Sequence, residues 1–313
     1  MIIDDSIIRS EERAVFALRS LYQQYGYSRF KMSRVEEYDL YVRNKDFLIS
    51  DEVITFTDHN GRLLAMKPDV TLSIIKNTAD AEGEVQKVYY NENVYRVAKG
   101  THTFKEIMQA GLECIGDLRE EDVAEVVRLA AKSLALIGEN YVLDLSHMGL
   151  LSAMLEQSGL SEAGCAKALG FIHQKNAHEL AALCKAEGAN AEKLNALIAC
   201  CGEPKAALYA LQEQLDSDRE KQAFASFARL CAVLVREGLG DRVRVDFSVG
   251  NDMKYYSGVV FKGYIEGVPG GILAGGQYDK LLQKMGRRSG AIGFAVYLDQ
   301  LERLSEKEVG ARG

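Results

Sequence analysis

Several absences in the 313-residue sequence narrow what it can be. No stretch approaches the ~20 consecutive apolar residues that a bilayer crossing needs. The N-terminal run MIIDDSIIRSEER places acids before any basic residue and is unlike a secretory leader. These features lead us to expect a cytoplasmic protein. The six cysteines (Cys114, Cys165, Cys184, Cys200, Cys201, Cys231) include no C-x-x-C pair, and all but Cys114 fall in an Ala/Leu-rich helical stretch, where a thiol acts as a small hydrophobe. They are expected to be reduced and structural. The five histidines form no H-x-x-H or H-x-x-x-H pair, so no metal site is expected. No G-x-G-x-x-G follows a strand and no Walker A run occurs, which argues against dinucleotide and P-loop enzymes.

Positive charge is also scarce. Net charge is −7, and the one dense basic run, Lys284 to Arg288 (KMGRR), reads as a solvated turn. A polyanion such as tRNA is normally held by basic clusters, because neutralising phosphates supplies most of that affinity. Binding of tRNA is therefore not expected. Hydrophobic residues at 47% and charged residues at 27% fit a globular chain, long enough for more than one average domain or for a large core with an insertion.

The periodicity predicts a first helix from Ser6 to about Tyr25, stopped by Gly26. Asn60-Gly61, between alternating runs in Ile54–Pro68, signals a hairpin. Strands are expected at Val85–Val97 and Glu106–Ile115, a helix at about Glu120–Ile137, and a strand at Tyr141–Leu145. From about 150 to 240 the sequence is rich in Ala, Leu, Glu, Lys and Gln and punctuated by Gly159, Gly188 and Gly202, which predicts a helical insertion. Strands are expected again at Val243–Val249, Tyr255–Ile265 and Gly271–Ala274, and Gly290–Leu304 reads as a short strand running into a helix. Hairpin-linked strands with helices at the ends and in an insertion indicate an α+β fold, an antiparallel sheet flanked by helices.

Four segments carry polar groups where core strands prefer apolar ones: MKPDVT (Met66–Thr71), VYR…QAGLE (Val94–Glu113), MKYYSGVVF (Met253–Phe261) and LAGGQYDKLL (Leu273–Leu282). Each has an ordinary reading too. Asp69 suits a helix N-cap, Tyr255-Tyr256 suit a core, and Gly275-Gly276 suit a bare turn. In this order and spacing they resemble the catalytic core of histidyl-tRNA synthetase, a class II aminoacyl-tRNA synthetase, over nearly the whole chain. The resemblance implies a single class II synthetase-like core over 1–313, with the helical insertion inside it. It further implies that Asp69, Thr71 and Gln109 receive a histidine α-ammonium, that Glu113 and Tyr256 bond the two imidazole nitrogens, and that Tyr255 and Tyr278 complete the ring pocket. The chemistry is consistent: an ammonium wants acceptors, and groups on both sides of an imidazole reject rings that leave them unpaired.

The departures matter as much. Where the family has a proline at its dimer interface, this chain has Ser33. The histidine-activating arginine falls on Asn251, the neighbouring aspartate on Lys254, and the third-motif arginine on Gln300. Arg96 remains as a possible phosphate or carboxylate contact, but the loop after it, VAKGTHTFK, is short and lacks the family's arginines. Losing one donor that offsets charge in a transition state commonly costs ~100-fold. No catalytic residues and no cofactor are therefore expected. No anticodon-binding domain is expected. This profile resembles the non-catalytic regulatory subunits of short-form ATP phosphoribosyltransferase in histidine biosynthesis. That resemblance implies a class II homodimer, a hetero-octamer with the catalytic subunit, L-histidine as ligand, and a role in activity and feedback. The alternatives are a stand-alone synthetase-like ligase acting on a small molecule or protein, and a scaffold with a fossil pocket.

Overall fold

The computed structural model describes residues 8–45, 48, 53–80, 83–98, 101–249 and 255–301. In chain order these form α1 (Ser10–Gln24), β1 (Ser28–Arg29), β2 (Val35–Glu37), α2 (Tyr38–Arg43), β3 (Thr55–Thr57), β4 (Leu63–Met66), α3 (Thr71–Asn77), β5 (Val85–Val97) and β6 (Phe104–Gly116). Next come α4 (Glu120–Ile137), β7 (Tyr141–His147), α5 (Met148–Glu156), α6 (Glu162–His173), α7 (Ala177–Glu187) and α8 (Ala191–Ala199). The remainder is β8 (Cys201–Gly202), α9 (Pro204–Gln212), α10 (Asp218–Leu234), β9 (Val243–Asp246), β10 (Val259–Ile265), β11 (Leu273–Gln277), α11 (Asp279–Lys284) and β12 (Gly290–Tyr297).

The main sheet has nine strands in the order β1-β5-β6-β12-β11-β10-β7-β9-β8, and β2, β4 and β3 form a small second sheet. Pairing is antiparallel through the centre, as expected, but β1–β5 and β7–β9 are parallel. Parallel neighbours cannot be joined by a tight turn and need a long crossover. Helices α5 to α10 lie within the connection between β7 and β9, so that run links two adjacent strands of one sheet. Its apolar residues, such as Leu180, Leu197 and Phe227, belong to the same buried cluster as the strands. A short strand, β8, also interrupts these helices where the composition predicts none.

Local chemistry sets the ends of the elements. The Asp58 carboxylate accepts Asn60 N–H and Arg62 N–H, both at 2.8 Å, and Gly61 takes φ 79°, closing the expected hairpin. Helix α4 has the predicted bounds. The first helix starts at Ser10, where the Glu12 carboxylate accepts the Arg9 N–H and caps the turn, and the expected start at Ser6 lies outside the described residues. β9 stops at Asp246, whose carboxylate takes the Ser248 N–H at 2.9 Å and turns the chain. β10 begins only at Val259, after Ser257 and Gly258. The KMGRR run is not merely a solvated turn: the Arg287 guanidinium donates to the Ile75 and Thr78 carbonyls and to the Thr78 hydroxyl, satisfying the end of α3.

The two faces of the sheet carry two cores. Side chains alternate along a strand. On β6, Ala110, Leu112 and Cys114 join the larger cluster with α1 and α4. Gln109, Gly111 and Glu113 must therefore face the other side, where α3 and α11 pack a smaller cluster around Tyr41, Ile74, Leu281 and Leu282.

Candidate functional site

On that second face lies a cavity of about 380 Å³, near the lower end of the ~300–1,000 Å³ usual for small-molecule sites. Its floor exists because side chains are missing. Gly293 on β12 pairs directly with Glu113 on β6, and a Cβ at Gly293 would sit 1.6 Å from Glu113 Oε2. A Cβ at Gly276 would lie 2.8 Å from the Tyr256 ring. Glycine at these positions lets a carboxylate and an aromatic ring lie against backbone.

All eight residues singled out from the sequence line this cavity: Asp69, Thr71, Arg96, Gln109, Glu113, Tyr255, Tyr256 and Tyr278. They come from four separate stretches of chain. Glu113, 2% exposed, receives the Thr71 hydroxyl on Oε1 at 2.8 Å and the Tyr278 hydroxyl on Oε2. Thr71 opens α3 and Tyr278 immediately precedes α11, so two helix starts clamp one carboxylate. Burial pushes the Glu113 carboxyl up to about 8, further than its two hydroxyl partners pull it down, and Asp69 adds to the rise.

Asp69 is half-buried and has two roles. Its carboxylate accepts the Leu72 N–H at 3.0 Å, capping the first turn of α3, and it lines the cavity. Burial raises its pKa, against the Leu72 hydrogen bond and the nearby Arg96 charge. Arg96 is held by Nε donating to the Pro68 carbonyl at 3.1 Å. Gln109, 4% exposed, shares the site face of β6 with Glu113. Tyr255 stacks edge-on against Tyr256 with centroids 4.7 Å apart, and lies 5.7 Å from the Tyr278 ring. Tyr255 and Tyr256 are thus half-buried against the core rather than within it, and Asp69 accepts from the first turn of α3 from one position before its N-cap Val70.

Two tyrosines of the wall were missed. Tyr90, on the same face of β5 as Arg96, reaches the Phe294 carbonyl at 3.5 Å, and Tyr297 ends β12 opposite Gln109. Period-two counting from Arg96 back to Tyr90 would have found the first. Tyr297 requires the β6–β12 register.

Of the departures, Ser33 is exposed and its hydroxyl accepts the Val35 N–H at 3.1 Å, starting β2. Gln300 donates to Asp299 Oδ2 at 3.2 Å and does not line the cavity. Asn251 and Lys254 lie outside the described residues. The described residues contain no cluster of His, Cys, Asp and Glu suited to a metal, and no helix long and apolar enough to cross a membrane.

A family model described as histidyl-tRNA synthetase matches residues 4–301. The chain belongs to the histidyl-tRNA synthetase family. Curated relatives within reach are named ATP phosphoribosyltransferase regulatory subunit. One, from Clostridium novyi (strain NT), is 27% identical over 91% of this chain and 70% of its own length. Another, from Clostridium kluyveri, is 29% identical over 90% and 74%. Among solved structures, an ATP phosphoribosyltransferase regulatory subunit/histidyl-tRNA synthetase from Bacillus halodurans C superposes with a TM-score of 0.82 at 25% identity, covering 93% of this chain and 78% of the other. A chain of the HisG:HisZ complex of ATP phosphoribosyl transferase from Thermotoga maritima shares the fold at a TM-score of 0.74 and 19% identity, covering 92% and 97%. The family, the synthetase-like fold and the regulatory-subunit likeness agree with the family resemblance and fold class expected from the sequence.

Proposed function

We propose that this chain is a non-catalytic regulatory subunit of ATP phosphoribosyltransferase and that its cavity binds free L-histidine as the feedback signal. The observation that carries the site is the pairing of Glu113, clamped between Thr71 and Tyr278, with Asp69 and Arg96 across the same cavity. An amino acid's ammonium and carboxylate match Asp69 with Gln109 and Arg96, while Glu113 and Tyr256 meet a ring bearing two nitrogens. The relatives' names support the regulatory role. In this proposal the chain pairs as a class II homodimer, assembles with the short catalytic subunit as a hetero-octamer, and takes neither tRNA nor a cofactor.

Calorimetric titration with L-histidine, with histamine as control, tests the ligand. A hydrogen bond involving a charged group is worth ~1.5–3 kcal/mol, so Glu113→Ala weakens binding by roughly 10- to 150-fold. Histamine, lacking the carboxylate, binds less tightly. No heat from histidine, alone or with the catalytic subunit, rejects the site.

A further inference from the structure

The two carboxylates of the cavity are not equivalent. Asp69 feels the Arg96 guanidinium, whereas the groups acting on Glu113 are the hydroxyls of Thr71 and Tyr278 and the negative charge of Asp69. The other titratable groups on this cavity are Tyr90 on β5, Tyr255 and Tyr256 before β10, and Tyr297 on β12. Burial raises the pKa of Tyr90, Tyr255, Tyr278 and Tyr297, so these four supply hydroxyls and no charge. Among the described residues no cation stands beside Glu113. A buried carboxylate without a counter-charge either keeps a proton or waits for a positive ligand.

We infer that the cavity takes histidine together with one proton, held between the Glu113 carboxylate and the imidazole ring. This rests on the proposed histidine site. The ligand's ammonium and carboxylate, matched by Asp69 and Arg96, cancel each other, so a neutral ring beside ionised Glu113 would leave a net negative charge at a buried side chain. An imidazolium beside the carboxylate, or a neutral ring beside the acid, leaves none. The hydroxyls of Thr71, Tyr278 and Tyr256 donate or accept, so they accommodate either placement.

The consequence is a particular pH dependence. Free imidazole titrates near ~6.5, and Glu113 in the empty cavity near about 8. Between those values the free partners already hold about one proton, so binding moves almost none and affinity is flat. Above about 8 the complex must take a proton from solvent, and affinity falls about tenfold per pH unit. If instead the ring binds neutral to an ionised Glu113, binding releases about one proton near pH ~7 and affinity goes on rising with pH until about 8.

The test is isothermal titration of the full chain with L-histidine at pH ~7 and ~8.5, in buffers of different ionisation enthalpy, on wild type and Glu113→Gln. We expect almost no proton exchange at the lower pH and uptake of most of one proton at the higher, the uptake being lost in Glu113→Gln. Loss of the ligand's own ammonium proton in alkaline solution affects both proteins alike, so their difference isolates Glu113. Release of about one proton at pH ~7, or equal uptake by both proteins, overturns the inference. Absence of any histidine heat instead rejects the histidine site on which it rests.

Discussion

Glu113 shows how one residue can carry both function and a cost in stability. Its carboxyl is raised from an ordinary 4.5 to about 8 by burial, so the folded chain binds a proton that the unfolded chain has released. That contribution is complete below 4.5 and is lost as pH rises to about 8. We therefore expect the stability of the ligand-free protein relative to Glu113→Gln to fall as pH rises across that interval. Melting curves of both proteins across the range check this; parallel curves would contradict it. Asp69 separates differently. Asp69→Asn keeps an oxygen for the Leu72 N–H but loses the charge for an ammonium, whereas Asp69→Ala also removes the cap of α3, worth ~1 kcal/mol. Histidine binding falls in both, but only the alanine variant melts measurably lower. The capping role of Asp69 was readable from Pro68-Asp69, whereas its proposed ligand role came from the family resemblance. That one oxygen serves the helix while the residue also lines the cavity became visible only with the fold.

At the scale of elements, the strands that build the cavity were legible where the signal is local. The Asn60-Gly61 turn, the β5 run and α4 follow from neighbours a few residues apart. Pairings between distant segments were not: β1 beside β5, β7 beside β9, and the β6–β12 register that brings Tyr297 opposite Gln109. The same register explains Gly293, a residue whose sequence context hints only at a close approach. Gly293→Ala should displace Glu113, since the new methyl would occupy its Oε2. We expect at least the ~10-fold loss of histidine affinity anticipated for Glu113→Ala, and circular dichroism that still reports the native helices and strands. Unchanged affinity would mean that Glu113 is not where the ligand binds. On the opposite face, His147 Nδ1 accepts the Leu150 N–H at 3.1 Å and caps α5. Burial lowers its pKa from 6.5 to about 4, so the unfolded chain takes up a proton that the folded chain refuses. Stability from this residue is present above 6.5 and lost as pH falls to about 4. His147→Asn, which keeps a capping acceptor, should flatten that part of the melting profile.

For the whole molecule, the account joins a synthetase fold to a loss of synthetase chemistry. Gln300 stands off the cavity, and Arg96 is the one arginine among the described residues that lines it. We expect no histidine-dependent exchange between ATP and pyrophosphate. Turnover near ~0.1 per second, easily measured, would favour the ligase reading. Light scattering should report a homodimer at micromolar concentration; a 34.6 kDa monomer would contradict the class II pairing. The central claim is that this cavity transmits histidine to a catalytic partner. Its most direct test is the rate of ATP phosphoribosyltransferase in the reconstituted complex as L-histidine is raised, with wild-type chain and with Glu113→Ala. The account predicts progressive inhibition with wild type and, with Glu113→Ala, equal basal activity whose inhibition needs roughly 10- to 150-fold more histidine. Identical histidine curves for the two proteins would contradict it.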